Sequence, residues 1–129
     1  MMRAPFEVTM LVEAHATNQD PSWRRVLTAA GIRDTRILQA MEKVRRADFL
    51  PASERAFEME DRPLDIGHGQ TTSQPSLIAI MLQELQMTRV CHVLEVGTGC
   101  GYQTALIAQL ARAGLERRHH WTAGDGGGE

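Results

Sequence analysis

A chain of 129 residues, 43% hydrophobic and 23% charged, is long enough for one domain with a buried core. A formal net charge of -2 and an aromatic content of 5% argue against nucleic-acid or anionic-membrane partners, which need a basic patch or a base-stacking platform. No run approaches the ~18 apolar residues of a membrane span, and MMRAPFEVTMLVEAHA carries Glu7 and Glu13 where a signal peptide would be apolar, so a cytoplasmic setting is expected.

In chain order, residues 1–19 show no firm period and read as a loose extension. DPSWRRVLTAAG (20–31) predicts the first helix: Asp20 can cap it, Pro21 suits its first position, and Gly31 suits its exit. Trp23, Val26, Leu27 and Ala30 form its apolar stripe. A second helix is expected from Asp34, with Ile37, Leu38, Met41 and Val44 inward and Pro51 barring continuation past Leu50. SERAFEME (53–60) suggests a short helix, and DRPLDIGHGQTTSQP (61–75) has the composition of a loop. Pro75 opens a third helix to about Gln86, with Leu77, Ile78, Met81, Leu82 and Leu85 apolar. Residues 90–96 read as a buried parallel strand, apolar on both faces, and 101 to about 113 as the helix that follows it. Beyond Leu110 the chain turns charged, then glycine-rich. No second strand is expected there, and 114–129 are expected to form a divergent, disordered tail, leaving 20–113 as the domain portion.

Cys91 and Cys100 lie in no CxxC pair, which suits a reducing compartment. His92 adjoins Cys91, but neighbours on a strand face opposite ways, so no metal site is expected.

Two stretches carry chemistry. In Glu95-Val96-Gly97-Thr98-Gly99-Cys100-Gly101, glycines allow a sharp turn and a close approach of backbone to a ligand. A dinucleotide fingerprint would need glycine where Tyr102 stands, and no lysine follows as in a phosphate-binding loop. An acid two positions before GxGxG is the pattern of S-adenosylmethionine-dependent methyltransferases, whose cofactor has no phosphates to cradle. In Gly67-His68-Gly69-Gln70-Thr71-Thr72-Ser73-Gln74-Pro75, Ser73 or Gln74 can cap the helix that Pro75 begins. Five consecutive hydroxyl and amide side chains exceed what a cap needs. They suggest a polar ligand at a helix N-terminus, where free amides favour an anion such as a carboxylate.

GHGQTTSQP, the strand VCHVLEV and GTGCGYQTALIAQLA together resemble the protein-L-isoaspartate (D-aspartate) O-methyltransferase family. GIRDTRILQAMEKVRRADFLP resembles its N-terminal helices, ending in an R-x-x-F-(V/L)-P signature. The resemblance spans roughly residues 25 to 111. It implies a Rossmann-like α/β fold, of which this chain holds the N-terminal helices and the first strand–loop–helix unit, with the sheet incomplete. It also implies S-adenosyl-L-methionine as cofactor and methyl transfer to the carboxylate of L-isoaspartyl or D-aspartyl residues in damaged proteins. The ester would then collapse to a succinimide, allowing protein repair. By position, Ser73 matches the active-site serine, and Gln70, Thr71 and Thr72 line the same cofactor and substrate loop. Glu95, Gly97, Thr98, Gly99, Cys100 and Gly101 match the cofactor loop, Cys100 standing where many relatives have serine. His68 falls at a variable position and is expected to be a solvated loop residue. The full-length family implies a monomer.

A buried parallel strand needs neighbours on both edges, since each unpaired buried backbone group costs ~1–3 kcal/mol. With no second strand expected, the chain reads as C-terminally truncated and inactive alone. The alternative to a repair methyltransferase is a truncated or frameshifted fragment, or a non-enzymatic interaction fragment, that keeps the motif without the pocket.

Overall fold

The computed structural model describes residues 22–111 and 115–118. Helix α1 (Trp23–Ala29) is capped by Ser22, whose side chain accepts from the Arg24 amide at 3.1 Å; the expected cap Asp20 and the expected first position Pro21 lie outside the described residues. It ends in a paired-bond exit around Gly31 (φ +91°), where the Gly31 amide donates to the Thr28 carbonyl and the Ile32 amide to that of Leu27. Helix α2 (Thr35–Lys43) starts at Asp34 as expected, with the Asp34 carboxylate accepting from the Arg36 amide at 2.9 Å. It stops well short of Pro51, because the chain is extended at Val44 and then tightens into the 3-10 turn Arg46–Phe49. The short helix expected over 53–60 is one 3-10 turn, Arg55–Phe57.

The polar stretch read as a loop is instead a β-hairpin. β1 (Leu64–Gly67) pairs antiparallel with β2 (Gln70–Thr72), with Leu64 opposite Thr72 and Gly67 opposite Gln70. His68 (φ +55°) and Gly69 (φ +67°) form its two-residue turn; positive φ at both positions is the mirror-image turn that matches strand twist. Polar composition hid the strands, because a hairpin this short is held by its turn and ladder more than by an apolar face.

Helix α3 (Pro75–Glu84) buries Pro75, Ser76, Ile78, Ala79 and Leu82. It then leads to β3 (Val93–Val96), the glycine turn and α4 (Tyr102–Leu110). A strand β4 (Leu115–Arg118) follows and runs parallel to β3, pairing Val93 with Leu115 and Val96 with Arg118. This corrects the expectation that nothing after Leu110 supplies a second parallel strand. LERR holds a single apolar residue and no alternating pattern, but the ladder is made by backbone groups that every residue has. The rest of the expected tail, 119–129, lies outside the described residues, as does the extension 1–19.

The core gathers Trp23 and Leu27 of α1, Ile37, Leu38 and Met41 of α2 with Val44 just beyond it, Ile78 and Leu82 of α3, and Leu106, Ile107 and Leu110 of α4. One burial expectation fails, that for β3, and α3 leaves part of its apolar surface uncovered. Leu77, Met81 and Leu85 are exposed, as is Ile80, so α3 is apolar on two faces and buries one. β3 is covered on one face only: Glu95 is buried, while Leu94 and Val96 are 57% and 67% exposed. Alternating side chains face opposite ways, and the helices pack on the Glu95 side. Among the described residues, β3 pairs with β4 alone.

Candidate functional site

The end of β3 places the glycine turn directly before α4. Gly97 takes φ +78° and Gly101 φ +89°, values that side chains with a Cβ rarely adopt. The Gly101 amide closes the turn on the Thr98 carbonyl at 3.0 Å, and the Gly101 carbonyl accepts the amide of Ala105 at 3.0 Å, starting α4. A Cβ built on Gly97 would meet no atom within 4 Å, so the chain leaves open space on that side. Thr98 is buried, and its hydroxyl has no hydrogen-bond partner among the described residues. Glu95 is also buried, and its carboxylate accepts a hydrogen bond from the Thr104 hydroxyl one helical turn into α4.

The hairpin tip faces this turn. Ile66 lies 3.7 Å from where a Cβ on Gly99 would stand, and the Phe49 ring lies 3.8 Å from that of Gly101. Phe49 also tilts against Tyr102, ring centroids 5.8 Å apart. Between them is a cleft of about 450 Å³ walled by the hairpin tip, residues 48–51 and the glycine turn. Of the residues expected at the site, the wall takes in Gln70, Gly99 and Cys100, and His68 joins them as an exposed turn residue. Thr71, Thr72, Ser73, Glu95, Gly97, Thr98 and Gly101 lie outside that wall. Asp48, Phe49, Leu50 and Pro51 are wall residues that sequence reasoning did not assign, although the R-x-x-F-L-P pattern marks them.

Ser73 is exposed on the two-residue link between β2 and α3. The N-terminus of α3 is not free for an incoming carboxylate, nor does Ser73 or Gln74 cap it. Asp61 fills that role from fifteen residues upstream, accepting from the Ser76 amide at 2.8 Å and from the Gln74 side chain at 3.1 Å. The distance in sequence left no local cap signature to read. Burial alone would raise the Asp61 carboxyl, but bonds from Ser76 and Gln74 and the nearby Arg46 charge hold it below the usual carboxylate value. Its contribution to stability is therefore complete above the unfolded value, about 3.9, and is lost as pH falls through the lower folded value. Asp61→Asn is expected to flatten the loss of stability below about pH 4 in urea titrations at stepped pH. An equally steep loss in the variant would contradict this assignment.

The residues fit a phosphate-free cofactor: an uncharged glycine turn, open space beside Gly97 and an unsatisfied hydroxyl at Thr98. Among the described residues, no group of three His, Cys, Asp or Glu side chains gathers to hold a metal.

Residues 23–117 match the family model of Protein-L-isoaspartate(D-aspartate) O-methyltransferase (PCMT). The chain belongs to this family. A protein-L-isoaspartate O-methyltransferase of Myxococcus xanthus is 49% identical over 92 residues, covering 70% of this chain and 43% of that protein. A solved protein-L-isoaspartate O-methyltransferase superposes with a TM-score of 0.65 at 28% identity, over 76% of this chain and 33% of that one. A Plasmodium falciparum protein assigned the same activity and solved in complex with S-adenosyl-L-homocysteine superposes at 0.58 and 26% identity, over 70% and 42%. The chain thus spans less than half the length of the relatives it matches. The architecture is an incomplete Rossmann-like α/β methyltransferase fold with an open sheet. Of the two stretches singled out in the sequence, this fold brings Gln70 of the hairpin and Gly99 and Cys100 of the glycine turn to one cleft. None of the described helices is long and apolar enough to cross a membrane.

Proposed function

We propose that this chain carries the cofactor turn and acceptor link of an isoaspartyl-repair methyltransferase. The observation that supports it best is the juxtaposition of the glycine turn with the hairpin tip across one cleft, with Gln70, Gly99 and Cys100 in its wall. In this reading, the turn 97–101, with Thr98 and Glu95, holds S-adenosyl-L-methionine, and Gln70, Thr71 and Thr72 flank it. When bound, that cofactor supplies a methyl group on a sulfonium, leaving as a thioether once the group has passed to a carboxylate oxygen.

The chain's own task is then modest chemistry and strict placement. A carboxylate of an L-isoaspartyl or D-aspartyl residue is ionised at pH 7, so no strong base is needed. Ser73 orients it by donating a hydrogen bond, and the hairpin and residues 48–51 strip part of its water. Damaged proteins or peptides are the substrates, in a reducing cytoplasm that keeps Cys91 and Cys100 as free thiols.

The test is transfer of labelled methyl from S-adenosyl-L-methionine to an isoaspartyl peptide and to its aspartyl twin. Transfer to the first and not the second is expected; no transfer to either at high protein concentration would sink the reading for this chain. The uncovered Leu94 and Val96 favour one rival, a non-enzymatic fragment. It predicts no thermal shift with S-adenosyl-L-homocysteine, whereas the repair reading predicts a shift that grows with ligand concentration.

A further inference from the structure

Arg46 is the charged side chain most deeply buried among the described residues, 1% exposed, and it is the residue of the R-x-x-F-L-P pattern that the proposed reaction leaves without a role. Burying a guanidinium costs free energy unless its donors are satisfied. Here Nη1 donates to the Glu60 carbonyl at 2.9 Å, and Nη2 donates to the carbonyls of Arg62 at 2.8 Å and Ser73 at 3.4 Å. Nε has no partner among the described residues. The planar fork thus ties two segments together, the bend at 60–62 and the link at Ser73, which lies 27 residues along the chain from Arg46.

The middle residue of that bend is Asp61. Its carboxylate takes the Ser76 amide and the Gln74 side chain, the residues just beyond Ser73. Ser73 is therefore held at its own carbonyl by Arg46 and at the following residues by Asp61, while Asp61 is itself held by Arg46 through its neighbours' carbonyls. The same 3-10 turn carries Phe49, which packs beside Gly101 and Tyr102. One short element thus sets the distance between the Ser73 link and the glycine turn.

We propose that Arg46 and Asp61 are positioning residues that hold Ser73 in register with the cofactor turn. This rests on the reading of Ser73 as the residue that orients the acceptor carboxylate. A residue acting through placement should change turnover more than binding, because displacement of a reacting group by about 1 Å costs on the order of 100-fold in rate.

The experiment compares the full chain with Asp61→Asn, Arg46→Lys and Arg46→Met, measuring kcat and KM for an isoaspartyl peptide and affinity for S-adenosyl-L-homocysteine. Asp61→Asn is expected to lower kcat about 10- to 100-fold, with peptide KM and cofactor affinity changed less than about twofold. Arg46→Lys is expected to recover part of the activity that Arg46→Met loses. An unchanged kcat in Asp61→Asn, or a loss matched by equal loss of cofactor affinity, overturns the proposal. If the unmodified chain transfers no methyl group, the functional reading falls and the positioning claim is judged by NMR. Faster amide exchange at Ser76 and a shifted Ser73 carbonyl in Asp61→Asn, with Met41 unmoved, then support it; unchanged signals at both overturn it.

Discussion

Leu106→Ala is expected to remove most of the stability of this chain, whereas Leu77→Ala should hardly be felt. Leu106 is fully buried at the centre of α4, within the cluster shared by all four helices. Truncating such a side chain loses both its transfer free energy and the contacts around the cavity left behind, ~2–5 kcal/mol. Against a total of ~5–15 kcal/mol, that is enough to leave a marginal domain largely unfolded. Leu77, 49% exposed on the outer face of α3, has little to lose. In urea, the midpoint should fall by about 1 M or more for Leu106→Ala and by a few tenths for Leu77→Ala, with similar slopes. Equal shifts would mean that α3 is not oriented as described.

Gly97→Ala is expected to cost cofactor affinity out of proportion to stability. At φ +78° an alanine is strained by ~1–2 kcal/mol, but its Cβ would meet no protein atom within 4 Å. The methyl group would instead occupy the open space beside the turn, where the proposed function seats the cofactor. Gly31→Ala is the matched control: φ is +91°, the space is equally open, and the site is the exit of α1. Both variants should melt a few degrees lower than the unmodified chain. Only Gly97→Ala should weaken S-adenosyl-L-homocysteine binding, by about tenfold or more in calorimetry. Equal affinities for the two variants would remove the glycine turn from the candidate site.

Periodicity and punctuation made much of the fold readable in advance. Gly31 ends α1, Asp34 caps α2, Pro75 opens α3, and Ile37, Leu38, Met41 and Val44 face inward as their spacing requires. These features depend on neighbours within one or two helical turns, so they are written locally. The glycine turn was legible for the same reason, since positive φ is demanded by the chain's own path. The hairpin was not, because its polar strands are held by a two-residue turn and a backbone ladder rather than by alternating apolar residues. β4 escaped notice in the same way.

Local sequence, then, was enough to place this chain in its family and to locate its four α-helices and the two motifs, because each of those is specified by residues close together along the chain. Tertiary structure alone decided which apolar face of α3 and β3 is covered, that Asp61 rather than Ser73 or Gln74 occupies the N-terminus of α3, and that buried Arg46 grips the Ser73 link. Those outcomes depend on hydrogen bonds and packing between segments 15 to 27 residues apart, and such pairings leave no periodic trace in the sequence.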